Sequence, residues 1–247
     1  MCGIVGFTSH SASACRPLVN GLRRLEYRGY DSAGIALESA DDLRVFKKTG
    51  KVAALDRFLS EALPESERGK YTLGIAHTRW ATHGLPTETN AHPHLADGGR
   101  LALVHNGIIE NYAALRAKLE KRGCVFVSQT DTEVLAHLIA TFDKGDDFMA
   151  AVSQTLKQVE GTYGIAVISR RHPGEMIVAR KGSPLVIGIG EGATRMRRGT
   201  ATTLSLCRAR MWCAHPLSRP SHSNSSPTMW HACAVARLTS RAIWRSP

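Results

Sequence analysis

The sequence has no apolar run approaching the roughly 18 residues that a membrane-spanning helix needs, which excludes a helical span. Its start has neither a basic segment nor an apolar stretch behind one, so a secretory signal is not expected. The six cysteines, at positions 2, 15, 124, 207, 213 and 233, follow no regular framework. Without export they are expected to be reduced thiols in the cytoplasm. Zinc-site spacing is also missing. Cys207, Cys213 and His215 lack it, and His92 and His94 merely flank Pro93 in a loop expected to be exposed. No metal and no cofactor are expected, and no glycine-rich phosphate cradle is present.

Acidic residues are absent from one part of the chain. Residues 1–192 hold 23 Lys and Arg and all 21 Asp and Glu, whereas residues 193–247 hold nine Arg, no Lys and no acid. The formal charge of +11 therefore sits almost wholly in the last part. Three of the four Trp lie there too. So abrupt a shift marks a boundary near Gly192. The last 55 residues show no regular periodicity, and disorder is the expectation for them. Nine arginines could bind phosphate electrostatically. No nucleic-acid module accompanies them, so no specific nucleic-acid partner is expected.

Residues 1–192 alternate between strand-like and helix-like patterns. Strands are expected at Cys2–Phe7, Ala33–Glu38, Leu43–Lys48, Leu73–His77, Leu101–His105, Cys124–Ser128, Tyr163–Ser169, Met176–Arg180 and Leu185–Ile189. Helical spacing appears at Leu18, Leu22 and Leu25, at Leu55 and Leu59, at Tyr112, Leu115 and Leu119, at Val134, Leu135 and Leu138, and across Phe148–Val159. Thr130-Asp131-Thr132-Glu133 offers helix-start chemistry. Strands in hairpin-like succession with grouped helices favour an α+β fold of antiparallel sheets over a doubly wound parallel sheet.

Cys2 is the most informative residue. If Met1 is removed, Cys2 carries a thiol and a free α-amine on one short backbone. Their ordinary pKa values, about 8.5 and about 7.7–8.0, allow proton exchange near neutrality. A nucleophile activated by its own terminal amine is a known device. Equally, Cys2 could be a small buried hydrophobe. Arg79 and Trp80, in His77-Thr78-Arg79-Trp80-Ala81-Thr82-His83-Gly84, sit where a strand-end loop could grip a small carboxylate, or could be an exposed Arg beside a packed Trp. Asn106-Gly107, placed after a strand, could supply oxyanion donors or simply make a turn. Asp131 could cap a helix or pair with an ammonium. Gly29 could end a helix.

Eight blocks in order carry a resemblance: CGIVGF at 2–7, LRRLEYRGYDSAG at 22–34, HTRWATHG at 77–84, NAHPH at 90–94, HNGIIENY at 105–112, TDTEV at 130–134, GTYGIAV at 161–167 and GSPLVIG at 182–188. The chain resembles the class II glutamine amidotransferases, and within them the glutaminase domains of the isomerising glutamine:fructose-6-phosphate aminotransferase (glucosamine-6-phosphate synthase) family. The resemblance implies an N-terminal-nucleophile hydrolase fold, a four-layer αββα of two packed, mainly antiparallel sheets. It also implies a role for each matching residue. Cys2 attacks the side-chain amide of L-glutamine and its α-amine shuttles the proton. Asn106 and Gly107 form the oxyanion hole. Arg79, helped by Thr82 and His83, holds the substrate carboxylate, and Asp131 holds its ammonium. Arg28 lies in the loop that orders the terminus, and Trp80 gates the ammonia route.

The chain departs from that family in two ways. The two sugar-phosphate isomerase domains, which would take fructose 6-phosphate and mediate a homodimer, are not in it. The match also stops near Gly192, before the glutaminase domain is expected to be finished, and the unrelated residues 193–247 suggest a shifted reading frame. Two functions follow as expectations: hydrolysis of glutamine to glutamate and ammonia, or a catalytically inactive truncated fragment.

Overall fold

The computed structural model describes residues 2–80, 85–183 and 185–188, and the backbone of 196–198, 212–213 and 234–239. In chain order the elements are β1 (Gly3–Thr8), α1 (Cys15–Leu25), β2 (Ser32–Glu38), β3 (Leu43–Thr49), α2 (Val52–Ala62), α3 (Glu65–Arg68), β4 (Leu73–Arg79), β5 (His94–Ala96), β6 (Leu101–Ile109), α4 (Tyr112–Glu120), α5 (Asp131–Phe142), α6 (Phe148–Leu156), β7 (Gly161–Ser169) and β8 (Glu175–Lys181). Three short strands follow: β9 (Met196–Arg198), β10 (Trp212–Cys213) and β11 (Ala234–Thr239). No helix among the described residues is long and apolar enough to cross a membrane.

The strands form two sheets, ordered β10-β1-β4-β2-β3 and β5-β6-β7-β8-β11-β9. Every pairing between named strands is antiparallel. The period of two along each strand explains why the sheets stack. On β7, Ile165 and Val167 join a cluster with α4–α6, while Ala166 and Ile168 face the other sheet. Leu101 and Leu103 on β6 divide from Ala102 and Val104 in the same way. On β1, Val5 and Phe7 pack with α1 and α2, and Ile4 joins the inter-sheet layer. Three apolar layers between four structural ones give the expected αββα arrangement. Each fully buried Ile, Leu or Val contributes roughly 1.5–3 kcal/mol.

Local chemistry sets the helix that positions the site. Thr130 caps α5, its hydroxyl accepting from the Glu133 N–H at 3.4 Å. The Glu133 carboxylate reaches back to the N–H groups of Val127 (2.9 Å) and Ser128 (2.6 Å). Burial pushes that carboxyl up, but hydrogen bonds from His137, Ser128 and Val127 overcome it and hold the group at about 2.

Several expectations are corrected. Cys124–Ser128 joins no sheet. Its backbone is held by Glu133 instead, and Val125 and Val127 stand 77% and 74% exposed. Residues 185–188 form no strand, although Leu185 and Ile187 pack on the inter-sheet core; Ile189 lies outside the described residues. β6 does not end at His105, because its ladder to β7 continues to Ile109↔Gly161. α1 stops at Leu25, and Gly29 closes a 3₁₀ turn, Glu26–Arg28, in extended backbone (φ −176°). Glycine is needed there for room: a Cβ would lie 2.7 Å from the Arg79 carbonyl carbon. In the last 55 residues, β10 pairs with β1, and β11 joins β8 to β9.

Glu38, at the end of β2, spans the two sheets by accepting the Gly174 N–H at 2.7 Å. Burial pushes its carboxyl up to about 8, against the pull of that N–H and of Arg170. Its folded pKa lies above its ordinary value of 4.5, so its contribution to stability is full below about 4.5 and is lost as pH rises through about 8. Glu38→Gln is expected to remove this loss. Thermal melts should show the variant gaining on the wild type between about pH 5 and pH 9, with the largest difference at the alkaline end.

Candidate active site

Strand pairing brings the site together. Gly3 on β1 faces Thr78 on β4, which sets Cys2 against the end of β4. The Trp80 N–H donates to Cys2 Sγ at 3.2 Å, and the Sγ–H points to the Trp80 carbonyl at 3.6 Å. Burial pushes the Cys2 thiol up, countered in part by the Trp80 N–H and by the charges of Arg79 and Arg28. A thiol held protonated needs a base at the moment of attack.

Opposite Cys2 lies β6 of the second sheet. Asn106 Nδ2 donates to the Cys2 carbonyl at 3.2 Å, and its Oδ1 is 2.9 Å from His77 Nε2. Gly107 follows with φ +135°, a conformation that side-chain-bearing residues rarely adopt. A Cβ there would stand 2.1 Å from the Thr162 carbonyl oxygen. Asn106 and Gly107 therefore sit inside a strand, in an unusual backbone shape, rather than in the turn that Asn-Gly alone suggests.

Asp131 opens α5 but does not cap it, since Thr130 does. Its Oδ2 accepts the Ile109 N–H at 2.9 Å, while Oδ1 faces the Thr132 hydroxyl at 3.4 Å and His105 Nδ1 at 3.9 Å. Arg79 is buried at the end of β4, and its Nη1 donates to the Leu85 carbonyl at 3.3 Å. Burial pulls its pKa down, opposed by the nearby Cys2, Asp31 and Asp131. Trp80 is 43% exposed and packs edge-on against Tyr30, with ring centroids 5.4 Å apart.

These groups line one open cleft of about 630 Å³, including its mouth. Of the residues singled out in the sequence, Cys2, Arg79, Trp80, Asn106, Gly107 and Asp131 line it. Arg28 does not, although its charge reaches the Cys2 thiol. Thr82 and His83 lie outside the described residues. Ile108, Tyr112 and Gln129 also line the cleft and were not anticipated; no local pattern in the sequence distinguishes them.

His92 and His105 line the cleft and belong, with His77 and His94, to a cluster of buried histidines, of which the sequence suggested an exposed loop for His92 and His94. His92 and His94 are buried, not exposed. The His77 and His92 rings stack at 4.1 Å, and His92 meets His94 edge-on at 4.8 Å. Thr132 Oγ1 bonds His92 Nε2 (2.9 Å) and His105 Nδ1 (3.0 Å), and Thr130 Oγ1 bonds His94 Nε2 (3.1 Å). Burial holds His77 and His94 at about 3, and lowers His92 and His105 as well. All four are neutral at pH 7.

Residues 77–196 match the family described as glutamine amidotransferase domain. The chain is 52% identical over 195 residues to the glutamine–fructose-6-phosphate aminotransferase (isomerizing) of Chlorobaculum tepidum, covering 78% of this chain and 31% of that relative. It is 53% identical over 194 residues to the enzyme of the same name from Bacteroides thetaiotaomicron, covering 77% and 31%. The chain thus spans about a third of the length of these relatives. Among solved structures it is similar to the glutamine phosphoribosylpyrophosphate amidotransferase of B. subtilis (TM-score 0.61, 26% identity, 86% of this chain and 41% of that one). It is also similar to a structure described as the allosteric regulatory enzyme of purine biosynthesis (TM-score 0.65, 27% identity, 86% and 41%). These likenesses and the αββα layering together identify the N-terminal-nucleophile fold.

Proposed function

We propose that this chain, which carries a glutamine amidotransferase domain of the glutamine–fructose-6-phosphate aminotransferase kind, hydrolyses L-glutamine to glutamate and ammonia through a thioester on Cys2. The observation that carries the reading is the cleft itself. It holds a half-buried thiol, the amides of Asn106 and Gly107, a cation and a carboxylate, which would complement the reacting amide and both charged ends of one amino acid.

Removal of Met1 exposes the α-amine of Cys2, which takes the thiol proton as Sγ attacks the amide carbon. The C–S bond forms as the carbonyl π electrons move to oxygen. Asn106 Nδ2–H and the Gly107 N–H meet that developing charge, and a preorganised donor of this kind is worth about 10²–10³ in rate. The amine returns the proton to the leaving nitrogen, and ammonia departs. Water then attacks the γ-glutamyl thioester, and glutamate leaves with the thiol restored. Arg79, assisted by Thr82 and His83, takes the substrate α-carboxylate, and Asp131 takes the α-ammonium. Arg28 steadies the loop beside the terminus, and Trp80 covers the route by which ammonia leaves. The reaction belongs in the cytoplasm, where Cys2 stays reduced. Delivery of ammonia to fructose 6-phosphate, and hence amino-sugar synthesis, is assigned to the whole protein. We place the domain at residues 1–192.

Release of glutamate and ammonia from L-glutamine by the purified chain tests this reading. Equal release of both supports it. A folded chain that binds glutamine without turnover would favour an inactive fragment.

The clamp has its own signature. Asp131→Asn keeps an acceptor for the Ile109 N–H but loses the charge. A charge-assisted hydrogen bond is worth about 1.5–3 kcal/mol, so KM for glutamine is expected to rise about 10- to 100-fold with kcat little changed. Steady-state kinetics would refute the role if KM stayed at the wild-type value.

A further inference from the structure

We propose that His77 is a positioning residue that fixes the orientation of the Asn106 amide, so that its NH₂ rather than its oxygen faces the tetrahedral intermediate. This rests on the hydrolytic reading of the cleft.

A carboxamide has two nearly isosteric ends. One flip of Asn106 would aim Oδ1 at the developing oxyanion and turn a stabilising donor into a repulsive acceptor. Two contacts oppose that flip. Nδ2 donates to the Cys2 carbonyl at 3.2 Å, and Oδ1 lies 2.9 Å from His77 Nε2. Oδ1 can only accept, so His77 Nε2 must carry the proton. Burial holds His77 at about 3, so at neutral pH the ring has one proton to place. With that proton on Nε2, a flipped amide would set NH₂ against N–H.

The ring is itself held. His77 lies on β4, fully within the fold, and stacks on His92 at 4.1 Å and 28°. His92 is tied through Nε2 to the Thr132 hydroxyl at 2.9 Å. Thr132 follows Asp131 on α5, so one run of contacts joins the ammonium clamp to the oxyanion donor: Asp131, Thr132, His92, His77, Asn106. A core position with no such duty would be filled more cheaply by an apolar ring, because His77 Nδ1 is buried with no hydrogen-bond partner, which is costly.

The test uses the full chain with His77→Phe and His77→Gln, beside Asn106→Ala and Cys2→Ala. His77→Phe keeps a ring and removes the N–H, and is expected to lower kcat about 10²-fold, as losing an oxyanion donor does, with KM for glutamine nearly unchanged. His77→Gln retains an N–H donor and should recover about tenfold of that loss. Combined with Asn106→Ala, His77→Phe should add no further loss, since both remove one function. Wild-type-like kcat in His77→Phe, or losses that multiply in the double variant, would overturn the proposal while leaving the hydrolytic reading intact. Turnover surviving in Cys2→Ala would overturn that reading instead. Long-range ¹H–¹⁵N NMR of the histidine rings in the wild-type chain decides the matter independently of turnover and of variant folding. An Nε2–H tautomer at His77 is expected, and an Nδ1–H tautomer would sink the proposal.

Discussion

Cys2→Ala is expected to abolish glutamine hydrolysis, lowering kcat by about 10⁴-fold or more, because among the described residues that line the cleft no other carries a thiol to form the proposed thioester. Glutamine should still bind, since Arg79 and Asp131 are untouched. Binding retained with turnover lost would separate chemistry from recognition. Blocking the α-amine is expected to act on the same step with the thiol still in place. A residue left in front of Cys2 converts the amine to an amide that cannot accept a proton. General-base losses run to about 10²–10⁴-fold. The effect is expected to be large here because burial pushes the thiol up, so little thiolate exists without a base. The free-amine enzyme should gain activity with pH as the amine deprotonates, near its ordinary pKa of about 8. Full activity in Cys2→Ala, or in a chain that keeps Met1, would contradict this account.

Gly107→Ala is expected to damage both fold and catalysis. The new methyl group would lie 2.1 Å from the Thr162 carbonyl oxygen, at a φ of +135° that alanine avoids. Strain and overpacking together are expected to cost roughly 2–5 kcal/mol of stability. Relief requires β6 to move away from β7, and that movement carries the Gly107 N–H and Asn106 off target. A loss of at least about 10²-fold in kcat should therefore accompany the lower melting temperature. Asn106→Ala, which removes a donor without that strain, is the informative comparison. Calorimetry and kinetics on the two variants test this directly. A Gly107→Ala protein that melts and turns over like the wild type would show that the backbone shape at this position is not needed.

Much of the architecture could be read locally. The alternation in Gly161–Ser169 and Leu101–Ile109 sends successive side chains to different apolar layers, and the sequence displays that period directly. The start of α5 was readable because Thr130 and Glu133 act within a few residues of each other. What escaped depends on distant partners. Asn-Gly resembles a turn, and only β7, more than fifty residues on, keeps positions 106 and 107 in a ladder. His92 and His94 looked like surface residues beside Pro93, yet Thr132 and Thr130 each bond one ring Nε2 from 40 and 36 residues away. Cys124–Ser128 has a strand's pattern, but its backbone is satisfied by Glu133. The tautomer of His77 follows only from its contact with Asn106 across the sheets.

The most direct test of the central claim is mass spectrometry of the chain acid-quenched during turnover of L-glutamine and then digested. The account predicts an N-terminal peptide that begins at Cys2 and carries one γ-glutamyl group as a thioester. Glutamate released while that peptide still begins at Met1, or with the acyl group on another residue, would contradict it.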